Sequence, residues 1–175
     1  MSTLSPELVQ LGQTRFQEFK SLGELIETQQ TRLEFILAIS DFIYRNCQRR
    51  PELLAIIAQK IANVDRSQSN SVELPRWHLS ETDWLALDEN GALKALREFR
   101  QEFMSVLAAQ HFLGFAKIEF CMQELSVMTD QFYALARQWA VNFFQPKWGQ
   151  AKDEFGNPVY LIALGMGKLG GFELN

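Results

Sequence analysis

The residues best suited to chemistry lie together at Gly165-Met166-Gly167-Lys168-Leu169-Gly170-Gly171, four glycines around one lysine. Glycine lets a backbone turn through positive φ and come close to a ligand. Unpaired amide N–H groups at the start of a helical turn attract phosphate, and a lysine adds a full charge. On this reading Gly167, Lys168, Gly170 and Gly171 form a nucleotide- or phosphate-binding turn. A tight structural turn accounts for the same residues equally well. The segment satisfies G-x-G-x-x-G, yet a dinucleotide site also needs a following helix and an acid about 20 residues on. A Walker loop needs Ser or Thr after its lysine, and Leu169 stands there.

Other chemistry-bearing residues read as structural. His78 and His111 have no second ligand at metal spacing, and His111 suits the negative end of a helix. Cys47 and Cys121 sit among apolar neighbours as buried thiols. Arg97 and Arg100 are interleaved with Glu98 and Glu102, the pattern of a solvated ion-pair face. No Ser/His/Asp or Cys/His arrangement stands out, and the Met and Phe stripes belong to a core.

The glycine-rich residues need an element to deliver them. Val159 to Leu164, six apolar residues in a row, reads as a buried strand. Gly156-Asn157-Pro158 turns the chain into it. Everything earlier has helical spacing. Residues 1–30 suggest short helices interrupted by Gly12 and Gly23. In 31–50, Ser40-Asp41 offers a cap where two helices meet. Pro51 opens a helix to Val64, and 65–76 has the polar composition of a linker. Ser80-Glu81-Thr82-Asp83 resembles a capping box with Asp for Glu, and Asn90-Gly91 breaks the helix it starts. Ala92 to Leu113 is strongly amphipathic, Gly114 marks a bend, and Ala116 to Phe144 follows, ended by Pro146 and Trp148-Gly149. The expectation is a mainly α fold: a helical bundle of six to eight helices over 1–148, then one strand and a Gly-rich turn over 149–175.

The chain has 175 residues, 47% of them hydrophobic and 22% charged, enough to form a packed core. Fourteen Phe and four Trp make that core aromatic. A net charge of −4 offers no basic field for nucleic acid or anionic membrane. No apolar run approaches the roughly 20 residues that span a bilayer. With two cysteines and no signal peptide, the expected setting is reducing and cytoplasmic.

The ending LGMGKLGGFELN resembles the signature of the glutamine synthetase adenylyltransferases, glutamate–ammonia ligase adenylyltransferases that also act as adenylyl-removing enzymes. In that family G-M-G-K-L-G-G-x-E-L-N follows a strand and leads into a Ser-Asp-x-Asp segment. Gly165 through Gly171 match, then Glu173, Leu174 and Asn175, with Phe172 at the variable position. Ser40-Asp41-Phe42, and Leu96-Arg97 with Arg100 and Met104, are weaker echoes.

The resemblance implies a parent enzyme several times longer, with two nucleotidyltransferase domains of the DNA polymerase β type. One transfers AMP from ATP to a tyrosine of glutamine synthetase; the other, N-terminal, removes it by phosphorolysis to give ADP. This chain then holds the helical bundle and the start of the adenylyl-removing domain. Gly170-Gly171 open the phosphate-cradling helix with Lys168 near it, while Gly165, Glu173 and Asn175 support the turn. Mg²⁺, ATP, ADP and phosphate are the parent's ligands; glutamine synthetase and the nitrogen-regulatory PII protein are its partners. The Mg²⁺-binding aspartates should come just after Asn175. Residues 1–175 alone are therefore expected to be inactive, with no catalytic residue or metal ligand and no tightly bound nucleotide. A strand at 159–164 lacking neighbours should pack irregularly on the helices or self-associate with a second copy. The competing expectation is a stand-alone helical interaction module with a remnant motif.

Overall fold

The computed structural model describes residues 4–19, 27–62 and 72–171. Among these it forms seven helices: α1 (Pro6–Gln17), α2 (Glu27–Ile39), α3 (Asp41–Arg49), α4 (Glu52–Ala62), α5 (Glu81–Leu85), α6 (Glu89–Phe112) and α7 (Ile118–Trp148). The mainly α expectation holds. Gly23 and most of the 65–76 linker lie outside the described residues.

Local chemistry places most helix ends. Ser5, Ser40 and Ser80 each sit in extended backbone and accept an amide N–H three residues on, from Leu8, Ile43 and Asp83. Ser80 Oγ also donates to Asp83 Oδ2 at 2.7 Å, so the Asp completes the cap from its side chain. Gly114 (φ +78) and Gly149 (φ +76) close α6 and α7 in the left-handed region. The Asn90-Gly91 pair does not break a helix. It lies in the first turn of α6, where Asp88 Oδ1 accepts the Gly91 N–H at 2.8 Å; the break falls just before, at 86–88.

The chain divides into two compact units: Met1–Arg76 with Glu98–Cys121, and Trp77–Arg97 with Met122–Asn175. In the first, α2, α3 and α4 enclose Leu33, Ile36, Leu37, Ile43, Cys47, Leu53, Leu54, Ile57 and Ile61, joined by Val106 and Ala109 of α6 and by Leu113 just after it. Helix α1 runs straight through Gly12, which is buried; an added methyl there would overlap the Glu34 carbonyl oxygen of α2. Arg15 donates to Leu37 O at 2.7 Å, pairs with Asp41 at 2.6 Å and lies over the Tyr44 ring. Asn46 donates to Ser105 Oγ at 3.2 Å, both buried.

The second unit is built on tryptophan. Trp84, Ala92 and Trp139 form its centre, with Trp77, Leu85, Leu87, Leu96 and Leu135 around them. Each buried indole N–H finds a carbonyl: Trp84 donates to Leu135 at 3.2 Å and Trp139 to Leu87 at 3.0 Å. Asn142 donates to Leu85 O at 3.1 Å and Gln138 to Glu81 at 2.6 Å, fastening α7 to α5 and the turn after it.

Residues 159–164 depart from expectation. Among the described residues no strand forms; the one bridge pairs Lys152 with Pro158, antiparallel. Val159, Tyr160, Leu161, Ile162 and Leu164 are all exposed, Ile162 and Leu164 to about four-fifths. A strand needs a neighbour for its N–H and C=O groups, and none of the described residues lies beside this one as a ladder.

Candidate functional site

The glycine-rich residues are delivered by a short hairpin that follows α7. After Gly149 the chain reverses over residues 151–159. Val159 donates its N–H to Ala151 O at 2.9 Å, Asp153 to Asn157 O at 2.9 Å, and Gly156 to Asp153 O at 3.0 Å. Gly156 takes φ +84, a conformation L side chains rarely adopt. The turn is held from inside by one carboxylate. Asp153 Oδ1 accepts the N–H groups of Phe155 (2.9 Å) and Asn157 (2.8 Å), and Oδ2 accepts the Asn157 side-chain amide at 3.0 Å. Bonds from the Asn157 side chain, then from backbone amides, hold the Asp153 carboxyl below the usual range.

Past the hairpin, Tyr133 of α7 donates its hydroxyl to Leu161 O at 3.4 Å. The chain then reaches the glycines, and four of the expected residues fall within one turn. Gly167 has φ +61, and the Gly171 N–H reaches back to Gly167 O at 3.0 Å, closing a helical turn over Lys168, Leu169 and Gly170. Gly165 faces the other end of that turn: a Cβ on Gly170 would lie 2.6 Å from Gly165 O. Leu169, half-buried, would meet a Cβ on Gly165 at 3.3 Å. Gly167, by its φ, and Gly170, by its contact with a backbone carbonyl, are thus required by the backbone itself. Lys168 is exposed. Glu173 and Asn175 lie outside the described residues.

The donors this turn offers are backbone amides and one ammonium. From Val159 to Gly171 the only charged side chain is Lys168. Backbone amides and an ammonium suit phosphate; with no carboxylate in the segment they do not fit Mg²⁺, which takes oxygen ligands. Among the described residues no three His, Cys, Asp or Glu side chains come together.

The remaining candidates take structural places. His111 Nδ1 lies 3.0 Å from Ala116 O beyond the end of α6, and His78 is exposed. Cys47 and Cys121 are free and buried. Burial pushes the Cys47 thiol up to about 12, and raises that of Cys121 as well. Arg97 and Arg100 are exposed on α6. The echo at Ser40-Asp41 has a folding role, Ser40 capping α3 and Asp41 receiving Arg15. Sequence reasoning missed Asp153 and Tyr133. An Asp three residues before Gly156-Asn157-Pro158 is a readable signal for a side chain that bonds its own turn; Tyr133 carries none.

No helix among the described residues is long and apolar enough to cross a membrane. Residues 30–175 match the family model described as glutamate-ammonia ligase adenylyltransferase. Three curated relatives carry the name bifunctional glutamine synthetase adenylyltransferase/adenylyl-removing enzyme. The one from Shewanella oneidensis is 32% identical over 179 aligned positions, covering 99% of this chain and 18% of the relative. Those from Shewanella woodyi and Shewanella loihica are 36% and 32% identical, covering 87% and 88% of this chain and 16% of each relative. The chain therefore spans less than a fifth of the length of these relatives. The family match takes in most of α2, all of α3 to α7, the hairpin and the whole glycine-rich turn, so the chain belongs to the glutamate-ammonia ligase adenylyltransferase family.

Proposed function

We propose that this chain supplies the helical scaffold and the phosphate-facing turn of a nucleotidyltransferase centre that removes AMP from glutamine synthetase. The observation that carries the reading is the turn at 165–171. Its glycines at 167 and 170 are demanded by backbone geometry, and its only charge is Lys168. The first amides of a helical turn have no partner within it and suit an anion. Gly167, Lys168, Gly170 and Gly171 would hold the attacking phosphate or the adenylyl phosphate. A phosphate oxygen then bonds to the adenylyl phosphorus, the bond to the tyrosine oxygen breaks, and ADP leaves while the tyrosine regains its proton. Residues 149–175 start this domain, and residues 1–148 are its helical support.

The parent function would include AMP transfer from ATP to glutamine synthetase, with Mg²⁺ held by carboxylates other than those described here, and regulation by PII in the cytoplasm. Mg²⁺ would neutralise phosphate charge; residues 1–175 alone would then have no activity. The test uses a chimera: the Shewanella oneidensis relative carrying residues 1–175 in place of its matching segment. Adenylyl removal from modified glutamine synthetase should persist in the chimera and be absent from the 175-residue chain. A chimera that retains only AMP attachment would sink the assignment to the removing centre. Removal catalysed by the chain alone would overturn its predicted dependence on other residues.

A further inference from the structure

We infer that Asp153, assisted by Tyr133, is a positioning residue for the 165–171 turn. The inference rests on the phosphate-facing reading above and adds to it what aims the turn.

Every residue from 149 to 164 is exposed, and none belongs to either core cluster described above. Burial against the described residues therefore does not order this stretch. What orders it is the Asp153 carboxylate, which gathers three N–H donors from Phe155 and Asn157. Those bonds bring Asn157 back over Asp153, so that Asp153 N–H reaches Asn157 O and Val159 N–H reaches Ala151 O. The pinned hairpin sets the direction in which the chain leaves Val159. Two residues later the Tyr133 hydroxyl holds Leu161 O against α7; at 3.4 Å it is the weaker restraint.

Chain length shows what these restraints achieve. From Leu161 to Gly165 is four steps, so the turn lies within roughly 14 Å of a point fixed to α7. Without either restraint the free tether runs from Gly149, sixteen steps back, with a reach of roughly 55 Å. A phosphate-binding turn on such a tether must be ordered each time it binds, and that cost weakens its hold on phosphate. Asp153 touches no reacting atom in this scheme. It acts through the backbone it holds.

Two arms test the inference. In the 175-residue chain, Asp153→Ala should speed hydrogen exchange at Phe155 and Asn157 while leaving the thermal midpoint unchanged. In the chimera with the Shewanella oneidensis relative, Asp153→Ala should raise the KM for inorganic phosphate about tenfold with kcat little changed. Asp153→Asn keeps one oxygen for the two backbone amides and should recover most of that loss; Tyr133→Phe should give a smaller rise. Lys168→Ala in the same chimera separates the two readings. If it raises the phosphate KM and Asp153→Ala does not, the positioning role is overturned. If neither variant moves the phosphate KM, the phosphate-facing reading fails first. A lowered thermal midpoint in Asp153→Ala, with no KM-specific effect, would make Asp153 a stability residue only and also overturn the inference.

Discussion

The carbonyl oxygen of Gly165 sits against the α-carbon of Gly170, so close that a Cβ at residue 170 would lie 2.6 Å from it. Both atoms are backbone, and no flexible side chain can yield. Gly170→Ala should therefore open the turn and break the bond from Gly171 N–H to Gly167 O. The turn is exposed, so the thermal midpoint of the chain should stay where it is. Backbone amide shifts confined to 165–171 check this; a spectrum unchanged there would show that the contact does not constrain the turn.

A second glycine held tightly against backbone lies in the first unit. Gly12 brings α1 against the Glu34 carbonyl of α2, with the Ala38 methyl 3.1 Å from where a Cβ would stand. Gly12→Ala forces the helices apart and should cost about 1–3 kcal/mol despite alanine's better helix propensity. Urea unfolding measures it. A stabilised variant would mean that propensity outweighs the clash.

Features set by local chemistry were legible in the sequence. Ser40 and Ser80 cap helices because a hydroxyl bonds an amide three residues away, and Gly114 and Gly149 end helices through their own φ. In sequence Gly12 looks like an interruption, because its reason sits on another helix, at Glu34. Asn90-Gly91 looks like a break, whereas the Asp88 side chain, not the Asn-Gly pair, marks where α6 starts. The division into two units crosses α6 and α7, whose apolar periodicity is continuous and marks no boundary. At the site, glycine spacing identified the turn. The missing strand had no such local cause, since a ladder depends on a neighbour.

Burial makes the Cys47 thiol a source of pH dependence. Its folded pKa is raised to about 12, whereas an unfolded thiol titrates near 8.5. A raised folded value gives stability that is complete below the unfolded pKa and lost as pH rises from about 8.5 toward 12. The urea midpoint should thus fall more steeply with alkaline pH in this chain than in Cys47→Ala. Parallel profiles would refute the assignment.

The exposed stretch at 159–164 has no charge, glycine or proline to block edge pairing. The isolated chain should self-associate through it with rising concentration. Sedimentation should show larger species that Leu161→Lys or Ile162→Lys diminishes. A monomer at every concentration, or association indifferent to both variants, contradicts this.

The central claim is that Lys168 and the glycines around it face phosphate during adenylyl removal. The most direct measurement is the phosphate KM of the chimera with and without Lys168→Ala, using adenylylated glutamine synthetase as substrate. An increase of about tenfold or more, the loss of one charged contact, is predicted. An unchanged phosphate KM would contradict the claim.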